Sequence, residues 1–237
     1  MLMPSPARRH RERVAARIAH AAARDRLAPI ENAKPYALML AKLDADMRRL
    51  KQIQSVAKKI DLKRQILPEY DAWVDGALET NSGEQDDILT NIMVWRLDTE
   101  DFPGALRIAE YVLKNDIKLP ARYNRNAACL VAEEIADAAK RALDEGRLVN
   151  GFEITMDNAL GAASILTAGM DMPDEVRAKL HKSSGLVHEV IGRHTTALGH
   201  LKTALEFNSN AGVKKDIERM TRIIKNTPAS ADTAGAG

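Results

Sequence analysis

Two acidic groups are the first residues in this sequence whose type and spacing could support catalysis. Asp86 and Asp87 are adjacent, and Asp98 and Asp101 belong to a second group. Metal-dependent cutting of a phosphodiester needs two or three carboxylates that converge on Mg²⁺ from a rigid core. The first pair precedes a helical pattern, and the second group lies in the turn to the next one, where carboxylates cap helices. We therefore interpret all four as cap and turn residues, with a metal-dependent endonuclease as the alternative.

The histidines and the cysteine offer little further chemistry. Of the 6 histidines, one predicted helical hairpin contains His181, His188, His194 and His200. No carboxylate stands at ligand spacing beside them, so we predict no metal site. The single Cys129 excludes an internal disulfide and zinc sites built on cysteine pairs, and it is typical of a reducing compartment. Because the chain also lacks a glycine-rich phosphate loop, we expect no cofactor and no catalytic site of its own.

The charge of the chain is concentrated at one end, although the net charge is only +2. Residues 1–64 carry 16 Lys and Arg against 6 Asp and Glu, whereas residues 65–150 carry 9 against 17. The basic first quarter can attract a polyanion, and the acidic middle cannot. This pattern favours nucleic-acid binding by the first quarter. The alternative is packing between subunits, with the basic end of one copy against the acidic middle of the next.

The predicted DNA contacts are basic side chains of two helical segments near the N-terminus. In the first segment they are Arg8, Arg9, Arg11, Arg13 and Arg17. In the second segment they are Arg48, Arg49, Lys51, Lys58, Lys59, Lys63 and Arg64. Each Lys or Arg that contacts a phosphate releases counterions, so such segments gain affinity for DNA. The alternative for the first segment is a solvated, frayed tail.

A heptad pattern in the second segment predicts assembly. Its apolar positions follow the spacing of a coiled-coil seam and are Tyr36, Leu40, Leu43, Met47 and Leu50. The pattern predicts one long helix from residue 36 to 67, which self-associates along this seam. Because the seam is short, a helical hairpin within one chain is the alternative.

The whole sequence predicts an all-α fold. Apolar residues make up 45% of the chain and aromatic residues only 4%, and no alternating run indicates a sheet. Ala105 and Ala109 in one hairpin, and Gly185, Ala197 and Leu201 in another, follow the small-and-large spacing that lets two helices approach closely. We therefore expect basic N-terminal helices with a coiled-coil-like segment, followed by stacked helical hairpins of tetratricopeptide-like character.

These patterns divide the chain into four segments. Residues 1–35 form a basic flexible arm with a helix, and residues 36–67 form the long basic heptad helix for assembly and DNA. Residues 68–225 form the helical-hairpin body, and residues 226–237 form a disordered tail. No apolar stretch approaches the ~20 residues of a membrane helix, and the N-terminus lacks the apolar part of a secretory signal. We therefore expect neither membrane contact nor secretion.

Several phrases of the sequence match one known family, in the right order. The most specific are Gln85-Asp86-Asp87-Ile88-Leu89, Trp95-Arg96-Leu97-Asp98-Thr99 and Gly104-Ala105-Leu106. Others are Leu67-Pro68, Trp73-Val74 with Gly76, Met172 to Lys182, and Ala211 to Lys215. Over residues 5–225, the chain thereby resembles the small terminase subunit of peduovirus-type temperate tailed phages, often labelled the terminase endonuclease subunit.

The resemblance implies a role in viral DNA packaging. Small subunits of this kind bind the packaging site in double-stranded viral DNA, here of the cohesive-end type, and assemble as a homo-oligomeric ring. They recruit and regulate the large terminase subunit, which carries the ATPase motor and the endonuclease, in the cytoplasm of the infected bacterium. The resemblance therefore implies a recognition subunit without its own catalytic site. An intrinsic endonuclease and a helical scaffold that binds no DNA are the alternatives.

Overall fold

A computed structural model describes residues 5–24 and 34–226 of the chain. These residues form eleven α-helices and one short 3-10 helix, without a β-strand among them, which confirms the predicted all-α fold. The chain divides into two compact units, the first ending at Ala127 and the second beginning at Ala128. This boundary falls inside the body predicted from residue 68 to 225. Residues 1–4 and 25–33 of the predicted arm and 227–237 of the predicted tail lie outside the described residues.

The described residues of the first unit form six α-helices, and the first three of them carry all the predicted DNA contacts. Their bounds are Pro6–Arg24 (α1), Lys34–Gln52 (α2), Val56–Ile66 (α3), Asp71–Thr80 (α4), Asp87–Asp98 (α5) and Phe102–Lys114 (α6). The 3-10 helix Leu67–Glu69 leads from α3 into α4. Helix α1 packs along α4, and α5 pairs with α6 as the sequence predicts.

The continuous helix predicted from residue 36 to 67 is interrupted in the structure. Residues 53–55 leave the helical path, and Ser55 has an extended backbone with φ −69° and ψ 126°. The Ser55 hydroxyl accepts a hydrogen bond from the backbone N–H of Lys58, so Ser55 is the N-cap of α3. A serine in this position satisfies an N–H that has no partner within the helix, and it therefore starts a new helix.

A buried aspartate joins α4 to α5. Asp86 is fully buried, and its Oδ1 accepts hydrogen bonds from the backbone N–H groups of Ile88 at 2.7 Å and Leu89 at 3.1 Å. Its Oδ2 accepts a 3.0 Å hydrogen bond from the indole N–H of Trp73 in α4. Trp73 also packs against Tyr36 of α2, with 5.9 Å between the ring centroids. The predicted capping role of Asp86 is confirmed, and this carboxylate also connects the start of α5 with α4.

A second carboxylate fixes the turn between α5 and α6. Asp101 is the N-cap of α6, and its Oδ1 accepts a 3.1 Å hydrogen bond from the backbone N–H of Gly104. Its Oδ2 forms an ion pair with Arg96 of α5, which also binds Asp71 of α4 at 2.5 Å. The predicted cap role of Asp101 is therefore confirmed, and Arg96 ties the hairpin to α4.

The described residues of the second unit form five helices, of which the last four pack on one another in chain order. Their bounds are Ala127–Asp144 (α7), Phe152–Thr167 (α8), Asp174–Val190 (α9), His194–Phe207 (α10) and Lys214–Asn226 (α11). Helix α8 packs on α9, α9 on α10, and α10 on α11. Helix α7, which contains the buried Cys129, contacts α9 through a 3.0 Å hydrogen bond from Ser183 to the carbonyl oxygen of Ala136. The tetratricopeptide-like character of the hairpins stays a prediction.

A glycine sets the close approach of α9 and α10. The facing residues Ala197 and Leu201 are fully buried. A Cβ atom on Gly185 would lie 2.7 Å from Cγ of Leu201 and 3.2 Å from the carbonyl oxygen of Ala197. The predicted pairing of small and large residues in this hairpin is therefore confirmed at the level of contacts. Among the described residues, no helix is both long and apolar enough to cross a membrane.

Three of the histidines noted in the sequence come together between α9 and α10. The Nδ1 atoms of His181 and His200 are 3.0 Å apart, and His188 stacks on His200 with 5.2 Å between ring centroids. Phe207 stacks on His181 at 5.8 Å. Burial lowers the pKa of His181 and of His188, and burial together with the neighbouring imidazoles lowers the pKa of His200 to about 4.

Charged groups around this histidine cluster act in both directions. Oδ1 of Asp157 in α8 lies 3.4 Å from Nε2 of His188 and favours its protonation, but Arg193 pairs with Asp157 at 2.7 Å and opposes it. Arg177 opposes protonation of His181, and Glu206 favours it. Burial prevails over the carboxylates, so the pKa values of these imidazoles lie below their ordinary value of 6.5.

Replacement of Asp86 should destabilise the first unit. The change Asp86→Ala removes a helix cap and leaves the buried Trp73 N–H without its acceptor, so we expect a loss of about 2–4 kcal/mol in the free energy of unfolding. The change Asp87→Ala in the first turn of α5 should cost less than about 1 kcal/mol. Denaturant unfolding of both variants measures the difference, and equal losses would contradict the bridging role of Asp86.

Two glycine-to-alanine changes in the second unit should have opposite signs. Gly185→Ala places a methyl group against Leu201 and should destabilise the protein by about 1–3 kcal/mol. Gly199→Ala in α10 meets nothing within 4 Å and should stabilise the protein by about 0.5–1 kcal/mol through helix propensity. Thermal unfolding of the two variants checks this, and a neutral Gly185→Ala would contradict the close approach of α9 and α10.

The histidine cluster should make the second unit sensitive to acid. Because the folded-state pKa values lie below 6.5, the unfolded chain binds more protons than the folded chain as the pH falls from 6.5 towards about 4. The stability contribution is therefore complete above pH 6.5 and is lost below it. The decrease in unfolding free energy from pH 7 to pH 5 should be smaller by about 1 kcal/mol in His200→Phe. The exposed His10→Phe is the control, and equal decreases in both variants would refute this account.

Candidate nucleic-acid interface

The predicted basic arm is a helix whose arginines face carboxylates of α4. Arg13 of α1 forms a 2.9 Å ion pair with Asp75 and lies 3.9 Å from Glu79, and Arg17 lies 4.0 Å from Glu79. Asp75 also pairs with Arg107 of α6 at 2.7 Å. The side chains of Arg13 and Arg17 are 45% and 59% exposed, so water screens these pairs and each contributes only about 0–1 kcal/mol.

A glycine in α4 allows α1 to lie close to it. Ala16 near the middle of α1 is fully buried. A Cβ atom on Gly76 would lie 2.8 Å from Cβ of Ala16 and would overlap the carbonyl oxygen of Arg13. Because packed atoms do not approach so closely, α1 reaches this position only where residue 76 has no side chain. Val14 and Ile18 of α1 remain 37% and 43% exposed.

The remaining arginines of α1 differ in their partners. Arg8 pairs with Glu12 one turn later at 2.8 Å. Arg9 and Arg11 are exposed and have no ion pair with any described residue. In the docked position of α1, Arg9 and Arg11 are therefore the arm arginines most available to a phosphate.

The junction of α2 and α3, residues 48–59, is a second exposed basic surface, which we call the basic elbow. Residues 54–58 are all exposed, and Val56 is 71% exposed. Its cations that have no ion pair within the described part of the chain are Arg48, Lys51, Lys58 and Lys59. Lys59 is partly buried, whereas the other three are exposed. The break at Ser55 thus leaves the basic end of α2 and the basic start of α3 next to each other along an exposed stretch of the chain.

The other predicted contacts of the second segment are engaged with carboxylates of their own unit. These ion pairs are Arg49 with Asp46 at 2.7 Å, Arg64 with Asp61 at 3.7 Å, and Lys63 with Asp98. The Lys63 side chain is only 15% exposed. Lys63 therefore ties α3 to α5 and is largely covered within its own unit.

Asp46 is the centre of a buried polar network in α2. It is 4% exposed and accepts hydrogen bonds from the Tyr70 hydroxyl at 2.9 Å, Lys42 at 2.8 Å and Arg49 at 2.7 Å. Burial by itself raises the pKa of Asp46, but these hydrogen bonds and the Lys42 charge outweigh it and hold the pKa below its ordinary value. Arg49 is consequently a partner of a buried carboxylate as well as a surface cation.

The predicted assembly seam lies largely within its own unit. Leu43 and Leu50 are buried in this chain, at 1% and 7% exposure, and Tyr36 packs on Trp73. Leu40 and Met47 are partly buried. The packing within one chain, kept open as the alternative, therefore accounts for Leu43 and Leu50, and self-association through this seam stays a prediction.

The acidic residues considered for metal binding have structural partners. Asp86 and Asp101 cap α5 and α6, Asp98 pairs with Lys63, and Asp87 accepts a 3.0 Å hydrogen bond from Gln85. Among the described residues, no group of three or more His, Cys, Asp or Glu side chains is arranged to hold a metal ion.

Sequence reasoning missed the docking of α1 on α4. The charges of Asp75 and Glu79 lie one helical turn apart, which matches the spacing of Arg13 and Arg17 on α1. In the sequence, Gly76 between them stands out only as part of one of the phrases that carry the family resemblance. These signals lie far apart in the sequence, so only the fold shows that they meet.

The sequence matches known proteins over most of its length. Residues 40–179 match the family described as Phage small terminase subunit. The chain is 45% identical over 226 residues to "Terminase, endonuclease subunit" of Escherichia phage P2, covering 95% of this chain and 88% of the relative. It is 24% identical over 208 residues to "Probable terminase, endonuclease subunit" of Haemophilus phage HP1 (strain HP1c1), covering 83% and 73%. No solved structure matches the chain significantly. Because the family match spans more than half of the chain and the phage P2 relative is similar almost throughout, the protein belongs to the phage small terminase subunit family.

Proposed function

We propose that this protein is the DNA-recognition subunit of a phage terminase. It binds the cohesive-end packaging site in double-stranded viral DNA and recruits and regulates the large ATPase–nuclease subunit. Family membership supports the general role in phage DNA packaging. The observation that carries the DNA-binding part is the set of exposed cations without ion pairs on α1 and on the basic elbow.

The basic elbow suits a phosphate backbone for two reasons. Its cations without ion pairs lie within twelve consecutive residues, and three of the four are exposed, so we expect several of them to reach neighbouring phosphates of one duplex. The start of α3 adds backbone N–H groups, which favour an anion at a helix N-terminus. Arg9 and Arg11 add a second set of contacts, whereas Lys63 in its ion pair with Asp98 contributes least.

We also propose that copies of the chain assemble into a ring. The support is the partly buried heptad positions Tyr36, Leu40 and Met47 beside Leu38, which is 72% exposed on the same helix. Burial of such an apolar side chain between subunits would stabilise an assembly.

Both relatives are named as endonuclease subunits. We assign cutting to the complete terminase complex, because Asp86, Asp98 and Asp101 hold helix caps and ion pairs in this chain. An isolated chain that cuts cohesive-end DNA in a metal-dependent manner, and loses this activity in Asp98→Asn, would overturn the assignment.

Removal of the elbow cations should weaken DNA binding and its salt dependence. The variant Arg48→Gln, Lys51→Gln, Lys58→Gln, Lys59→Gln should bind a cohesive-end duplex more weakly, because it lacks phosphate contacts. The slope of log affinity against log salt concentration should fall by about one unit for each lost contact. Fluorescence anisotropy over a salt series measures both quantities, and Arg9→Gln, Arg11→Gln tests α1 in the same way.

The control removes equal charge from the second unit. It replaces the exposed cations Lys202, Lys214, Lys215 and Lys225 with Gln. Equal losses in control and elbow variants would mean that only net charge matters, and no binding by the unaltered chain would favour the scaffold alternative. The mass of the same samples, with and without DNA, tests the ring: a single-chain mass under both conditions would refute assembly.

A further inference from the structure

We propose that α1 is held on α4 by an electrostatic latch, in which Asp75 and Glu79 compete with DNA phosphates for Arg13 and Arg17. The inference rests on the proposed DNA binding and adds a mode of control to it. In the latched state these arginines are neutralised within the chain. DNA binding releases them, so the α4 carboxylates set how strongly α1 engages DNA.

Arg13 contacts both carboxylates of the proposed latch. Its Nη2 donates a 2.9 Å hydrogen bond to Oδ2 of Asp75, and its Nε lies 3.9 Å from Oε1 of Glu79. The Nε–Nη2 edge of the guanidinium group is thus directed at carboxylates of α4. A phosphate that binds this Nε–Nη2 edge of Arg13 in a bidentate manner must therefore displace Asp75.

The docked orientation of α1 determines which of its side chains face solvent. Docking on α4 buries Ala16 and leaves Val14 and Ile18 exposed. Those two residues are apolar, so the docked helix does not present a continuous basic face to solvent. Release from α4 would make Arg13 and Arg17 available beside Arg9 and Arg11.

The contacts that hold α1 on α4 are weak enough for DNA to compete with them. The buried centre of α1 is the small side chain of Ala16 against Gly76, and the ion pairs around it are partly exposed: the Asp75 and Glu79 side chains are 24% and 45% exposed. Exposed ion pairs are weak and screened by salt. A duplex with its dense phosphate charge is therefore a stronger partner for these arginines than two screened carboxylates.

The test is a charge-neutralised latch. The variant Asp75→Asn, Glu79→Gln should bind a cohesive-end duplex about two- to five-fold more tightly than the unaltered chain, the gain expected from freeing weak surface pairs. The matched control Asp144→Asn, Glu145→Gln makes the same change in net charge and also removes surface ion pairs, those with Lys140 and Arg147, in the second unit. It should change affinity much less.

A second comparison assigns the gain to α1, because Asp75 also pairs with Arg107. In the background Asp75→Asn, Glu79→Gln, the further changes Arg13→Gln and Arg17→Gln should abolish the gain. Hydrogen exchange of the free proteins gives a readout without DNA: the latch variant should lose protection in α1 and retain it in α5 and α6.

The outcomes separate the latch from the proposed function. A gain in the latch variant alone, reversed by the Arg13 and Arg17 changes, supports the latch. If the unaltered chain binds DNA but the latch variant binds equally or more weakly, or matches the gain of the control, the latch is wrong and DNA recognition stands. If no form of the chain binds DNA, the proposed function is wrong, and so is the competition between phosphates and the α4 carboxylates.

Discussion

The first unit depends on one buried carboxylate, Asp86. A charge without access to water is tolerated only when hydrogen-bond donors surround it, and here the donors are two backbone N–H groups of α5 and the indole of Trp73. Trp73 carries the constraint to Tyr36 on α2. Through this contact, the helix cap of α5 helps to position α2, the helix that leads to the basic elbow.

The basic residues of the first unit fall into two groups: cations paired with carboxylates inside the unit, and exposed cations without an ion pair. In the first unit, the cations of the interior-facing positions are paired, as with Lys42 and Arg49 around Asp46 and Arg96 between Asp71 and Asp101. The cations of α1 and the basic elbow without such partners lie near the ends of helices, where their charged groups stay hydrated and pay no desolvation cost. The chain uses basic residues for two purposes, and only their partners distinguish them.

Local patterns in the sequence predicted much of the fold, and long-range contacts explain the rest. The caps Asp86 and Asp101 follow from neighbours within a few positions, and the close approach at Gly185 follows from the spacing of small residues on two consecutive helices. The structure confirms both. The heptad pattern cannot tell whether Leu43 and Leu50 face another chain or their own core, because both environments are apolar. The docking of α1 needed Gly76 to meet Ala16, and the ion pair of Lys63 needed Asp98. Charge counts alone treat all these cations alike.

The sole cysteine of the chain has a practical consequence. Cys129 is 4% exposed in α7, and a thiol held out of solvent reacts with alkylating reagents only when its surroundings open. The rate of its modification under native conditions therefore reports the free energy of opening around Cys129, without any substitution in the chain. It also leaves surface positions free for selective labelling, since an introduced cysteine on α1 or the basic elbow would react first. The native cysteine is thus a built-in probe of local opening in α7.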